Sequence, residues 1–229
     1  IIVLIPLTLN AFPGTKFGIP FPVVLRSSFG ILGSNVPCLV RALVGCGWFG
    51  IQTMFGGLAI HLLLSELIPA WAALGGVGEV IGFFVFGAMN LYVVIRGAES
   101  IKWLETLAAP LLLAVGIGLM VWAWPNMSMT DLLAQPPSRP EGQTVADPVR
   151  LIGYIDSPFW VVMAMLLIII ATISTNTASN IVSPTNDFQN IAPKLINQTR
   201  GVLMTGAVGV LLMGYDLLQK AGVIPPGVS

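Results

Sequence analysis

Ser157-Pro-Phe-Trp-Val-Val-Met-Ala-Met-Leu-Leu-Ile-Ile-Ile-Ala-Thr-Ile-Ser-Thr-Asn-Thr-Ala-Ser-Asn-Ile-Val-Ser-Pro-Thr-Asn186 contains no Asp, Glu, Lys or Arg. A helix needs roughly 20 mostly apolar residues to cross about 30 Å of hydrocarbon. This run is longer than that. It is apolar to Ala171 and then turns polar. A membrane-spanning helix is expected here, with a second half that does more than face lipid.

Further uncharged windows lie on either side of it. They run from Ala42 to Ser65, Val80 to Ile95, Thr106 to Thr130 and Gly201 to Tyr215. Of the 229 residues, 55% are hydrophobic and 9% charged, where a soluble domain carries about 25% charged. The fold class expected is therefore all-α, a polytopic transmembrane helix bundle forming one domain over 1–229. Net charge is zero, which gives no reason to expect a nucleic-acid partner. Cys38 and Cys46 are eight residues apart on one expected helix, too far to bridge each other.

The pattern predicts the end of a helix at 1–12, as though continued from something longer. A Gly/Pro-rich connection follows at 13–37. Spans are expected near 38–67, 76–96, 101–124, 157–183 and 200–217, with a long polar loop at 125–156. Cytoplasmic loops carry an excess of Lys and Arg. If 13–37 is cytoplasmic, that side receives Lys16, Arg26, Arg41, Arg96, Lys102, Lys194 and Arg200, and the outer side only Arg139, Arg150 and Lys220. The loop at 125–156 is then extracytoplasmic. Gly45, Gly47, Gly50, Gly56 and Gly57 in the first full span suit close helix packing, since small residues let backbones approach in lipid.

Polar side chains at bilayer depth are candidates for function. Trp48 and Gln52 are four residues apart, on one helix face. Trp48 lies roughly 15 Å along the helix from Cys38 at 1.5 Å per residue, away from the interfacial belt that Trp usually occupies. The competing reading is a packing Trp beside a satisfied Gln. The second group is Thr172 to Asn180. Ser174 and Thr175 follow Ala171 by three and four residues, and Asn176 and Asn180 share a neighbouring face. Hydroxyl and carbonyl oxygens can replace the water around a hard cation such as sodium, and amides offer both donor and acceptor. Against this stands Ser/Thr bonding to the helix's own carbonyls, which suits one Thr better than so dense a cluster. Pro184 is expected to end or kink the helix, with Asn186 and Asp187 capping a following turn. His61 reads as packing, Glu99 and Glu105 as surface partners of Arg96 and Lys102, and Asn90 as buried. No HExxH, GxSxG or Walker loop is present, so neither an enzyme nor a cofactor is expected.

Three blocks, in order, resemble one family. Lys16-Phe-Gly-Ile-Pro-Phe-Pro-Val-Val-Leu-Arg-Ser-Ser-Phe-Gly30 with Arg41-Ala-Leu-Val-Gly-Cys-Gly-Trp-Phe-Gly-Ile-Gln-Thr53 resembles the loop and third helix of nucleobase–cation symporters, the cytosine, uracil, allantoin and hydantoin permeases. Arg96-Gly-Ala-Glu-Ser-Ile-Lys-Trp-Leu-Glu-Thr106 is similar to their turn between helices four and five. Ala171 to Phe188 is similar to their eighth helix. The resemblance implies a LeuT-like fold of two inverted five-helix repeats. It implies uptake of a planar heterocycle, coupled to sodium or protons, across a plasma (inner) membrane. By position Trp48 would stack on the substrate, Gln52 and Asn180 would pair with its amide-like edge, and Asn176 would assist. The Ala171 carbonyl and the Ser174 and Thr175 hydroxyls would hold sodium. Family members have about twelve helices, so a partial chain is expected. The first helix and those between the fifth and eighth are missing, the latter at 125–156. A truncated, non-transporting membrane protein or subunit is the alternative.

Overall fold

The computed structural model describes residue 2 and residues 4–123 and 158–225. Helices α1 (Leu4–Phe17), α2 (Phe21–Gly33), α3 (Asn35–Leu67), a single turn α4 (Pro69–Ala72), α5 (Gly76–Ile95) and α6 (Ala98–Ala123) precede the gap. After it come α7 (Pro158–Thr175), a π-helical segment Asn176–Ile181, α8 (Val182–Ile191), α9 (Gln198–Leu212) and α10 (Gly214–Lys220). The described residues are helical, with no strand among them. Four helices are long and apolar enough to span a membrane, or five if the bent pair α9 and α10 is one span.

Two expectations need correction here. The segment 13–37 is not an irregular loop, because α1 runs on to Phe17 and α2 occupies Phe21–Gly33. Pro20 and Pro22 start α2 rather than break it. Pro22 stands in the first turn, where the missing N–H costs no hydrogen bond. Gly30, at φ 71°, supplies the internal kink that a residue with a Cβ would resist. The span at 200–217 is likewise not continuous: α9 and α10 meet at 59° around Met213. The loop at 125–156 lies outside the described residues.

Pro184 does not end the helix and lies just after its break. It sits in the first turn of α8, and the irregularity lies upstream, where the Val182 N–H donates to the Thr177 carbonyl, five residues back. With no N–H at Pro184, the Asn180 carbonyl cannot receive its ordinary i+4 bond, and the widened turn absorbs that loss. Such turns are frequent at functional sites.

Helix α3 is the hub, packing against α5, α7, the π segment, α8 and α9. Glycine makes this geometry. A Cβ on Gly57 would lie 2.5 Å from the Phe83 amide nitrogen on α5, and one on Gly45 would lie 2.5 Å from the Pro184 ring. Gly47 is different, with its nearest neighbour, Leu212, at 3.9 Å. Gly57→Ala is therefore expected to destabilise the protein by about 1–3 kcal/mol through overpacking. Gly47→Ala should be neutral or stabilising by up to about 1 kcal/mol, from helix propensity. Thermal unfolding in detergent compares the two, and equal effects would contradict the packing assigned to Gly57.

Ion pairs close both ends of the bundle. Lys220 pairs with Glu79 at the end assigned to the outer side. At the other end Arg41 Nε donates to Asp187 Oδ2 at 2.9 Å, Arg41 also donates to the Ser183 hydroxyl, and Arg26 donates to Asn190. Asp187 thus ties α8 to α3 instead of capping a turn. His61 is a packing residue: it is buried, and its Nδ1 accepts from Trp71 Nε1 at 3.0 Å. Both cysteines are buried and free.

Candidate functional site

The π segment and the middle of α3 bring the polar candidates together. Asn180 Nδ2 donates to Asn176 Oδ1 at 3.0 Å, and Asn176 Nδ2 donates to Thr53 Oγ1 at 3.3 Å. Thr53 Oγ1 in turn donates to the Phe49 carbonyl at 2.6 Å. Asn176 and Thr53 are wholly buried, and Asn180 nearly so. This chain of bonds ties the two asparagines of the π segment to Thr53 of α3. The sequence reading omitted Thr53, although its place next to Gln52 on the central helix was a usable signal.

Gln52 and Trp48 differ from these neighbours. The Gln52 side-chain oxygen is buried and accepts no hydrogen bond among the described residues. An unmet buried acceptor costs about 1–3 kcal/mol. One helical turn earlier, Trp48 is 53% exposed among the described residues.

A second chain of bonds runs beneath the first. Thr177 Oγ1 donates to Asn90 Oδ1 at 3.4 Å, and Asn90 Nδ2 donates to the Phe86 carbonyl at 2.8 Å. Asn90, wholly buried, thereby anchors the π segment to α5.

The expected cation ligands lie one turn before. Thr175 is exposed and its Oγ1 donates to the Ala171 carbonyl at 3.0 Å, the own-helix bond of the competing reading. Ser174 is buried and turns to another helix, its hydroxyl donating to Glu105 Oε1 on α6 at 3.0 Å. This corrects the reading of Glu105 as a surface partner of Arg96 and Lys102: it is half-buried and faces α7. Helical spacing carries the reason. Ile101, Leu104, Glu105, Ala108 and Leu111 recur at the intervals that share a face, and each is shielded, whereas Trp103 and Leu107 are exposed. Carbonyl and hydroxyl oxygens are ligands for hard cations. Among the described residues no group of three or more His, Cys, Asp or Glu side chains converges as a metal centre would require.

Apolar helices long enough to span, a broken helix packed on the hub and polar groups gathered where the two meet define a multi-pass membrane protein. Residues 1–141 and 138–224 match the family described as permease for cytosine/purines, uracil, thiamine, allantoin, and the chain belongs to that family. It is 30% identical to the purine-uracil permease NCS1 of Arabidopsis thaliana, over 96% of this chain and 49% of that protein. It is 29% identical to the allantoin permease of Bacillus subtilis, over 94% of this chain and 60% of that protein. These relatives are permeases, not enzymes. The chain spans about half to three-fifths of their length. Among solved structures it is similar to Mhp1, a nucleobase-cation-symport-1 family transporter, in a closed conformation with bromovinylhydantoin bound. The TM-score is 0.65 at 23% identity, covering 87% of this chain and 59% of that one. The inward-facing conformation of Mhp1 gives a TM-score of 0.61. The fold is thus that of a LeuT-like transporter.

Proposed function

We propose that this chain supplies the substrate-binding half of a secondary active transporter that imports a nucleobase or related planar heterocycle across a plasma membrane. The observation that carries the reading is the buried oxygen of Gln52, unpartnered among the described residues, one turn from the half-exposed ring of Trp48. A ring N–H of cytosine, uracil, allantoin or hydantoin type would satisfy that oxygen, while the indole stacks on the ring. Asn180, oriented by Asn176, would meet the remaining amide-like edge. The names of the relatives support this substrate class.

Coupling to sodium is the reading the oxygens of Ala171, Ser174 and Thr175 favour over coupling to protons, because they offer a hard cation neutral ligands. The relatives carry stretches this chain lacks, since the Bacillus alignment runs over 293 residues against a chain of 229. We assign the main gap to 125–156, where the two family matches meet at 138–141.

The test is accumulation of labelled uracil, cytosine, allantoin and hydantoin in vesicles holding the purified protein, under an imposed sodium or proton gradient. Gradient-dependent uptake of one of them is expected. Neither binding nor uptake of any would favour the non-transporting reading. Ser174→Ala and Thr175→Ala are expected to weaken the dependence of substrate binding on sodium by about tenfold or more each, one lost oxygen ligand apiece. A titration of substrate affinity against sodium checks it.

A further inference from the structure

We propose that Glu105 is the anionic member of the coupling-cation site, compensating in α6 the charge of a monovalent cation held by Ala171, Ser174 and Thr175 of α7; this rests on the cation-site reading above. Ser174 is 6% exposed and its hydroxyl donates to Glu105 Oε1 at 3.0 Å. The Glu105 carboxylate is thus one hydrogen bond from an oxygen of the expected ligand set. Ser174 is the only hydrogen-bond partner Glu105 has among the described residues, and the ion pairs there, Arg41–Asp187 and Lys220–Glu79, do not include it.

Three features make this more than a chance contact. Glu105 is the one charged residue in the stripe Ile101, Leu104, Glu105, Ala108 and Leu111 that is shielded by the bundle. Leu104, its neighbour, packs into the core cluster formed with Met165 and Ile169 of α7, which fixes the register of α6 on α7 around the carboxylate. Lys102, one turn away, is exposed and forms no ion pair with it among the described residues. A carboxylate inside a membrane bundle is costly unless a partner meets it. The partner we assign is a cation at the Ser174 hydroxyl oxygen, which the carboxylate already touches.

A site made of neutral oxygens alone must strip a cation of water with no countercharge. A carboxylate on the neighbouring helix lowers that cost and makes occupancy depend on how α6 lies against α7. The cation would then hold the two helices together as well as bind to one of them. Sodium and a proton share this chemistry. Sodium would bridge the carboxylate and the α7 oxygens, and a proton would neutralise the carboxylate itself.

The experiment uses the full-length protein, with equilibrium binding of the transported nucleobase measured against sodium at fixed pH and against pH at fixed sodium. Glu105→Gln is expected to raise the half-saturating sodium concentration by about tenfold or more, or, in a proton-coupled protein, to flatten the pH dependence. Glu105→Asp should fall between, and it serves if the glutamine variant does not fold. Glu99→Gln removes the same charge from an exposed site on α6 and should shift neither curve. If both Glu105 variants leave both curves unchanged while Ser174→Ala shifts them, Glu105 has no part in the cation site and the proposal is overturned. If Ser174→Ala and Thr175→Ala also change nothing, the cation-site reading itself has failed.

Discussion

Trp48→Ala in the full-length protein is expected to weaken binding of its planar substrate by about 1–3 kcal/mol, the worth of one aromatic stacking platform, or roughly 5- to 160-fold in affinity. The fold should hardly notice. Trp48 is 53% exposed, while the neighbouring Phe49, Gly50 and Thr53 carry the packing of α3. Trp48→Phe should recover most of the affinity, because it restores a stacking face. Gln52→Ala should weaken binding independently, since a ring N–H would lose its acceptor. Displacement of a labelled ligand is the right readout, because intrinsic fluorescence would change with the loss of Trp48 itself. Unchanged affinity in both Trp48→Ala and Gln52→Ala would remove the site from this face of α3.

The largest effect on stability is expected at Arg41. Asp187 is completely buried, and Arg41 Nε holds one of its oxygens at 2.9 Å. The other oxygen, Oδ1, has no partner among the described residues, so the carboxylate depends heavily on that guanidinium. The guanidinium also lies over the Phe21 ring, 4.0 Å from its centroid, which joins α2 to the α3–α8 contact. Arg41→Met would leave a buried carboxylate unpaired, at a cost of about 3–5 kcal/mol. Arg41→Met combined with Asp187→Leu should recover a large part of the loss, because the double change removes the stranded charge along with its partner. Thermal unfolding in detergent measures both. A single variant as stable as the parent would mean that the pair is incidental.

The charge-free windows, the cluster from Thr172 to Asn180 and the Trp48/Gln52 pair could all be read along the chain. Each depends on composition or on one helix's own periodicity, and lipid leaves little freedom in how an uncharged stretch of that length folds. The three blocks resembling nucleobase–cation symporters were legible for the same reason: their residues are contiguous. Sequence also determined that glycine would bring α3 close to its neighbours, but not which glycines do so. Gly57 meets backbone, whereas Gly47 meets nearly nothing.

Tertiary structure decided what crosses from one helix to another. Glu105 lies 69 positions from Ser174 and Asp187 lies 146 from Arg41, and no local pattern links residues so far apart. Both acids carried a plausible local role, one beside Lys102 and one as a cap, and packing gave each a different partner. The π turn belongs to the same class. Pro184 announced a disturbance, but the buried bonds of Asn176 and Thr177 to α3 and α5 accompany it one turn upstream. A sequence states which groups a helix carries toward the bilayer centre. Which of them meet is settled only when the helices pack, because a buried polar group must find its partner on whatever surface packing brings to it.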